Sequence, residues 1–226
     1  MTTISPRELH CPLCATRFAG HSVLAGRASG PLSSDLRRYP EGPDPIPLQL
    51  NSCPECGYSG EVSAFEEFAP EPELEVAEEE LSLAELVRSR LSPKAQEAHA
   101  DPALRYEQHA VLEGWLGRGP LRQGDAWLRA AWMHDDASRP QEALRCRDQA
   151  LSHYRRGLDE RRWLRRREDM VVVAYLVGEL SRRLGREEAA LRWYEQSIAW
   201  SSGLQHMQDL VELAERQARE PRDLVR

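Results

Sequence analysis

The chain has 226 residues, 41% hydrophobic and 30% charged, the balance of a folded domain rather than a disordered polymer. Its formal charge of −7 argues against a general nucleic-acid binder, which needs a basic stripe to neutralise phosphates. The longest apolar run, Met170 to Val177, is far short of the ~20 residues of a membrane span, and the opening Met1-Thr2-Thr3-Ile4-Ser5-Pro6 lacks the basic-then-apolar pattern of an export signal. No membrane contact and a cytoplasmic location are therefore expected.

Residues 1–60 carry two cysteine knuckles, Cys11-Pro12-Leu13-Cys14 and Cys53-Pro54-Glu55-Cys56-Gly57, together with β-compatible stretches at 17–24 and 46–50 and a loop rich in Pro, Gly and Ser from 29 to 47. Two knuckles supply four soft ligands with tetrahedral reach, which is the pattern of a zinc ribbon. One Zn2+ per chain is expected on Cys11, Cys14, Cys53 and Cys56. Four sulfurs leave no open coordination position, so the metal reads as structural. A redox site would need a single pair at the start of a helix in a βαβ setting. His10 and His21 stand nearby but would have to displace a thiolate, and both read as bystanders. Cys146 lies in a helical segment as a small apolar residue with no chemistry assigned to it.

Residues 61–81 are rich in glutamate, with Pro70 and Pro72 among them, and read as an acidic linker. From 82 to 226 the periodicity is helical, with helices predicted over 82–91, 102–116, 121–135, 139–163, 168–183, 186–201 and 205–219. Asp101-Pro102 reads as an N-cap, Ser138 to Gln141 as a capping box, and Gly185 and Gly203 as helix terminators. Trp127, Ala130, Ala131, Ala143 and Ala150 recur as Ala174, Val177, Gly178, Ala190 and Ser197, the small-residue offsets of a tetratricopeptide repeat. The fold class is thus α+β: a small four-cysteine zinc-ribbon β unit followed by an all-α tetratricopeptide-like helical-repeat domain, the latter expected to fold by itself.

Cys11-Pro12-Leu13-Cys14, the loop with Asp35-Leu36-Arg37-Arg38-Tyr39-Pro40, then Leu50-Asn51-Ser52-Cys53-Pro54-Glu55-Cys56-Gly57-Tyr58 and Asp101-Pro102-Ala103-Leu104-Arg105-Tyr106 follow one another in a distinctive order. So do Gly178 to Gly185 and Glu187 to Tyr194. Together they resemble a bacterial family known as domain of unknown function 2225. The resemblance implies an N-terminal zinc ribbon joined to tetratricopeptide-like helices, and it implies no activity. Ala15 departs from the pattern, standing where a knuckle more often has glycine.

No metalloprotease helix, nucleophile site or phosphate loop is recognisable, so the chain is expected to be no enzyme. The expected role is a cytosolic zinc-binding adaptor or scaffold whose helical-repeat groove grips a protein or peptide partner, with Leu128, Trp132, Asp135, Tyr175, Glu179 and Arg182 on the groove face. The alternative is a nucleic-acid or ribonucleoprotein-associated factor that uses the ribbon and the seven arginines between Arg155 and Arg167. Acidic side chains interleave that run, as on a solvated helix face.

Overall fold

A computed structural model describes residues 3–25, 30–66 and 82–225. Most of the acidic linker, residues 67–81, lies outside the described residues. Strands β1 (Thr3–His10) and β2 (Arg17–Ala25) form an antiparallel hairpin in register from Ile4↔Val23 to His10↔Arg17, with a shift between Thr3 and Ile4 that sets Thr3 opposite Ala25, and its turn is the first cysteine knuckle. Strands β4 (Asn51–Ser52) and β5 (Ser59–Gly60) pair antiparallel around the second knuckle. Between these hairpins in sequence lies β3 (Leu32–Ser33), whose antiparallel partner is β6 (Leu224–Val225), near the other end of the chain. The helices are α1 (Leu83–Arg90), α2 (Ala95–Ala100), α3 (Pro102–Trp115), α4 (Pro120–Asp136), α5 (Pro140–Glu160), α6 (Arg167–Arg183), α7 (Glu187–Ser201) and α8 (Gln208–Arg219). The α+β class stands, and among the described residues no helix is long and apolar enough to cross a membrane.

Local chemistry explains most boundaries. Asp101 caps α3 by accepting from the Ala103 amide at 2.9 Å, with Pro102 at the first helical position where no amide partner is required. At α1, Ser82 and Glu85 close a reciprocal capping box. Gly185 and Gly203 take positive φ after α6 and α7, as expected of helix terminators. The box expected at Ser138 is absent in that form. Ser138 has φ of 57° and, with Arg139, returns amides to the carbonyls of Asp135 and His134, so it terminates α4 rather than starting α5. The stretch 46–50 is a 3₁₀ turn over Ile46–Leu48, not a strand, since Asp44 captures the Ile46 amide at 2.9 Å and Pro47 cannot donate to a ladder. Helix α5 ends at Glu160, three residues early, and α2 is an additional short helix.

The chain divides into two compact units. The first contains Met1–Arg27 and Gly42–Cys146, the second Ala28–Glu41 and Arg147–Arg226. This cut differs from the expected one at 1–60, 61–81 and 82–226, and packing gives the reason. Leu9, Cys11, Phe18, Cys53, Cys56, Tyr58 and Phe65 of the ribbon share one buried cluster with Leu83, Val87, Leu91, Leu112 and Leu116 of the helices. Phe18, Tyr58 and Phe65 meet edge to face, with centroids 5.3 and 5.5 Å apart. Ribbon and first helices therefore have a common core.

In the second unit α6 packs on α7 and α7 on α8. A Cβ on Gly178 would stand 2.9 Å from the Tyr194 ring and 3.2 Å from the Ala190 carbonyl, so glycine here lets α6 and α7 approach closely. The small residues picked out by their offsets, Ala130, Ala131, Ala143, Ala150, Ala174 and Ala190, are all buried.

Because the shared core joins the ribbon to α1 and α3, a fragment of residues 82–226 is expected to lose cooperative melting and to expose apolar surface to dye. The full chain should melt in a single sharp step through the first unit. A cooperative transition of the fragment, followed by circular dichroism, would show instead that the helices form an independent core.

Candidate metal centre

Each knuckle is built by the same backbone device. The Cys11 carbonyl accepts from the Ala15 amide at 3.0 Å, and the Cys53 carbonyl accepts from the Gly57 amide at 2.9 Å. Ala15 has φ of 60° and Gly57 of 79°, so both turns require a left-handed residue just after the second cysteine. Gly57 also lacks room for a side chain, since a Cβ would lie 3.0 Å from both the Leu91 carbonyl and the Gln108 amide oxygen. Ala15 adopts the same conformation against a steric cost of about 1–2 kcal/mol.

The two turns bring the four sulfurs within 4.8 Å of one another, with Cys11 to Cys56 at 3.6 Å and Cys14 to Cys53 at 3.5 Å. All four expected ligands converge, and the set fits a metal ion that prefers thiolates in a tetrahedron. Cys11, Cys53 and Cys56 are buried, whereas Cys14 faces solvent and contacts the Thr16 hydroxyl. Protons and sulfurs are unevenly matched in the cluster. Thiol hydrogen bonds from Cys11 and Cys56 hold the Cys53 thiol down at about 2, while the mutual contacts and burial push Cys11 up to about 12 and Cys56 higher still. A metal loading all four as thiolates releases the remaining protons. His10 contributes no ligand to this group, and neither does His21.

The helices hold the ribbon by polar contacts that sequence patterning did not single out. His99 and His109 bond through Nδ1 to the carbonyls of Ser52 and Ser59, at 2.7 and 2.9 Å, and so satisfy the two short strands flanking the second knuckle. Arg105 is 7% exposed and donates to the carbonyls of Pro47, Leu50, Ala98 and His99. It binds the loop before the knuckle and the end of α2 with one guanidinium, while Tyr106 donates to the Ile46 carbonyl at 2.8 Å. Ser92 reaches the Glu55 carbonyl inside the knuckle at 3.1 Å. The available signal was the run Asp101 to Tyr106, whose capping aspartate, arginine and tyrosine each have a distinct structural task.

The six residues expected on a groove divide between the two units. In the first, Leu128 is buried, Trp132 is half-buried and Asp135 is exposed. In the second, Tyr175 and Glu179 are both 0% exposed, and this corrects their placement on an open surface. Glu179 accepts from Ser34 Oγ at 2.6 Å, Tyr194 Oη at 2.7 Å, Arg182 at 2.7 Å and Arg183 at 2.7 Å. Tyr175 Oη donates to the Ser34 carbonyl at 2.6 Å, and Arg182 also pairs with Asp223. These side chains do bind a peptide segment, but it is the chain's own, residues 33–35 and 223.

The basic run is not one helix. Arg155 and Arg156 end α5, Arg161 to Arg166 form a turn with Arg161 at φ of 48°, and Arg167 begins α6. All seven arginines are exposed, and Glu160 gathers Arg156, Arg162 and the Trp163 indole, while Asp169 pairs with Arg166.

The family described as uncharacterized proteins conserved in bacteria, domain of unknown function 2225, matches residues 4–224, and the chain belongs to it. No curated protein and no solved structure is similar to the chain.

Three outcomes are expected. Ala15→Gly should leave urea stability unchanged or raise it by up to ~1 kcal/mol, because strain relief offsets added chain entropy. Gly57→Ala should lower it by more than that, since strain and crowding combine. Glu179→Ala leaves two arginines without their shared carboxylate and should cost about 3–5 kcal/mol by denaturant melting. A cost within about 0.5 kcal/mol of wild type would show that the segment at 33–35 is held by other contacts.

Proposed function

We propose that this bacterial protein is a non-enzymatic, cytosolic, zinc-stapled adaptor that binds a protein partner, its helix pairs being tetratricopeptide-like. The observation that carries the reading is the closed tetrathiolate set in the core of the first unit. Four sulfurs give zinc no vacant position for water or substrate, and three of them are packed among Leu9, Phe18, Tyr58 and Phe65. Zinc there would supply folding free energy, an apparent ~10–16 kcal/mol in comparable small sites, and would leave function to exposed surfaces.

The repeat groove is not the partner surface of this proposal, since Tyr175 and Glu179 are buried. The open end of the β1–β2 hairpin has better access. There Ile4 and Leu24 are 40% and 58% exposed, on neighbouring strands in which Ile4 faces Val23. Pro6 in β1 lacks an amide donor and discourages simple strand addition, which favours side-chain recognition by a folded partner. The seven-arginine run supports the nucleic-acid alternative less well, because Arg156, Arg162 and Arg166 already share two carboxylates.

Freshly purified protein is expected to contain one zinc per chain by elemental analysis, and Cys53→Ser should lose it together with most of its thermal stability. Affinity capture from the native cell should retain a protein partner after nuclease treatment and lose it on Ile4→Ser/Leu24→Ser with the fold intact. Capture of nucleic acid alone, removed by salt and by neutralising Arg161, Arg162 and Arg165, would replace this reading with the alternative.

A further inference from the structure

Apart from the tetrathiolate, one other group of metal-ligating side chains converges among the described residues: Glu107 on α3, His134 in the last turn of α4 and Cys146 on α5. All three belong to the first unit, and their ligating atoms lie within 4.8 Å of one another. His134 and Cys146 are 1% and 0% exposed, and the Glu107 side chain is 16% exposed. We infer that this trio is a second metal site, specific for a zinc-type divalent cation, with carboxylate, imidazole and thiolate as its three protein ligands.

Hydrogen bonding within the trio is crowded. Glu107 Oε1 lies 2.7 Å from His134 Nε2, 2.6 Å from an Arg145 nitrogen and 3.6 Å from Cys146 Sγ, so three donors converge on one oxygen. The other imidazole nitrogen, His134 Nδ1, is buried with no hydrogen-bond partner. A divalent cation held by Nε2, Oε1 and Sγ would relieve the crowding at the carboxylate, because it replaces these donors with a single positive centre; Nδ1 faces away from it. Glu107 needs no deprotonation for this. Burial disfavours its charge, but the hydrogen bonds from Arg145 and His134 outweigh that and hold its carboxyl below the usual range.

The change on binding is small and balanced. Cys146 gives its thiol proton to solvent and ligates as thiolate, the neutral imidazole changes tautomer so that its proton moves from Nε2 to Nδ1 and Nε2 presents a lone pair, and the carboxylate exchanges hydrogen-bond donors for the metal. Zinc–sulfur and zinc–nitrogen bonds of about 2.3 and 2.0 Å set neighbouring ligands roughly 3.3–3.6 Å apart in a tetrahedron. The sulfur–oxygen separation of 3.6 Å is already in that range, and the nitrogen–oxygen separation of 2.7 Å must open modestly. Arg145 cannot ligate, and with a side chain 49% exposed it has solvent into which to withdraw. The mixed sulfur, nitrogen and oxygen set favours zinc or cobalt over magnesium or calcium, which prefer oxygen alone. Three protein ligands leave one position for water, in contrast to the closed tetrathiolate.

The test uses the full chain with its first zinc in place, titrated with cobalt(II). Wild type should take up one further equivalent, with a sulfur-to-cobalt charge-transfer band and visible bands of a four-coordinate ion. Its zinc content, measured by elemental analysis, should stay at one per chain. Cys146→Ser and His134→Gln should lose the new bands while retaining the first zinc. Arg145→Ala should bind cobalt about tenfold more tightly at low salt, because a competing positive charge is gone. That gain distinguishes a metal site from a merely structural ion pair, and it stands as a test even where the cysteine variant fails to fold. Uptake of no metal beyond the first zinc, identical cobalt spectra in wild type and Cys146→Ser, or unchanged affinity in Arg145→Ala would overturn the assignment.

Discussion

Convergence of four sulfurs within 4.8 Å constrains the rest of the first unit. The two hairpins meet at their turns, and neither β4 nor β5 is long enough to hold register by pairing alone. The cysteines fix the turns against each other, and the apolar residues beside them then have one face to offer: Leu9, Phe18, Tyr58 and Phe65 turn towards Leu83, Val87, Leu91, Leu112 and Leu116. The cysteine cluster and the ribbon–helix core are consequently the same structure seen from two sides. The ribbon is thus packed into the core of α1 and α3.

The remaining organisation rests on helices satisfying irregular backbone. Loops and two-residue strands leave carbonyls that no sheet can absorb, and each buried one needs a partner. Arg105 serves four carbonyls, His99 and His109 serve one each, and Tyr106 serves another. In the second unit the polarity is reversed. A buried acid, Glu179, collects Ser34, Tyr194, Arg182 and Arg183, and thereby holds a loop whose Leu36 has φ of 65°. The charge of Glu179 is tolerated at this depth because both Arg182 and Arg183 donate hydrogen bonds to it.

Spacing made the converging cysteines readable, because a knuckle is a local device: two residues between cysteines and a left-handed residue after them suffice. Most helix boundaries were readable for the same reason, as Asp101, Gly185 and Gly203 act on their immediate neighbours. Ser138 misled because serine serves as an N-cap in one backbone conformation and can close a helix in another, and only φ distinguishes them. The domain division misled for a different reason. An acidic, proline-containing stretch suggests where the chain is solvated, whereas Phe65, within the stretch 61–81 itself, joins the buried cluster that holds Leu83 and Val87. The ribbon-holding roles of His99, His109 and Arg105 depend on carbonyls far away in sequence, those of Ser52, Ser59 and Leu50, which no local pattern encodes.

The repeat register put Tyr175, Glu179 and Arg182 of α6 on a groove face, and in the structure the chain's own segments cover that side. Helical periodicity establishes that Tyr175, Glu179 and Arg182 lie along one side, since residues three and four apart stack on a helix. It does not establish what covers that side. Here the covering pieces are Ser33, Ser34 and Asp223, from segments that pair as β3 and β6 although they come from opposite ends of the sequence. A face suited to binding an extended peptide through aromatic hydroxyls and paired charges is also suited to binding the chain's own extended segments. Those segments have the advantage of high effective concentration, because they are tethered. A foreign peptide would have to displace them and expose Glu179, and this asymmetry, rather than any lack of complementary chemistry, makes the face part of the fold.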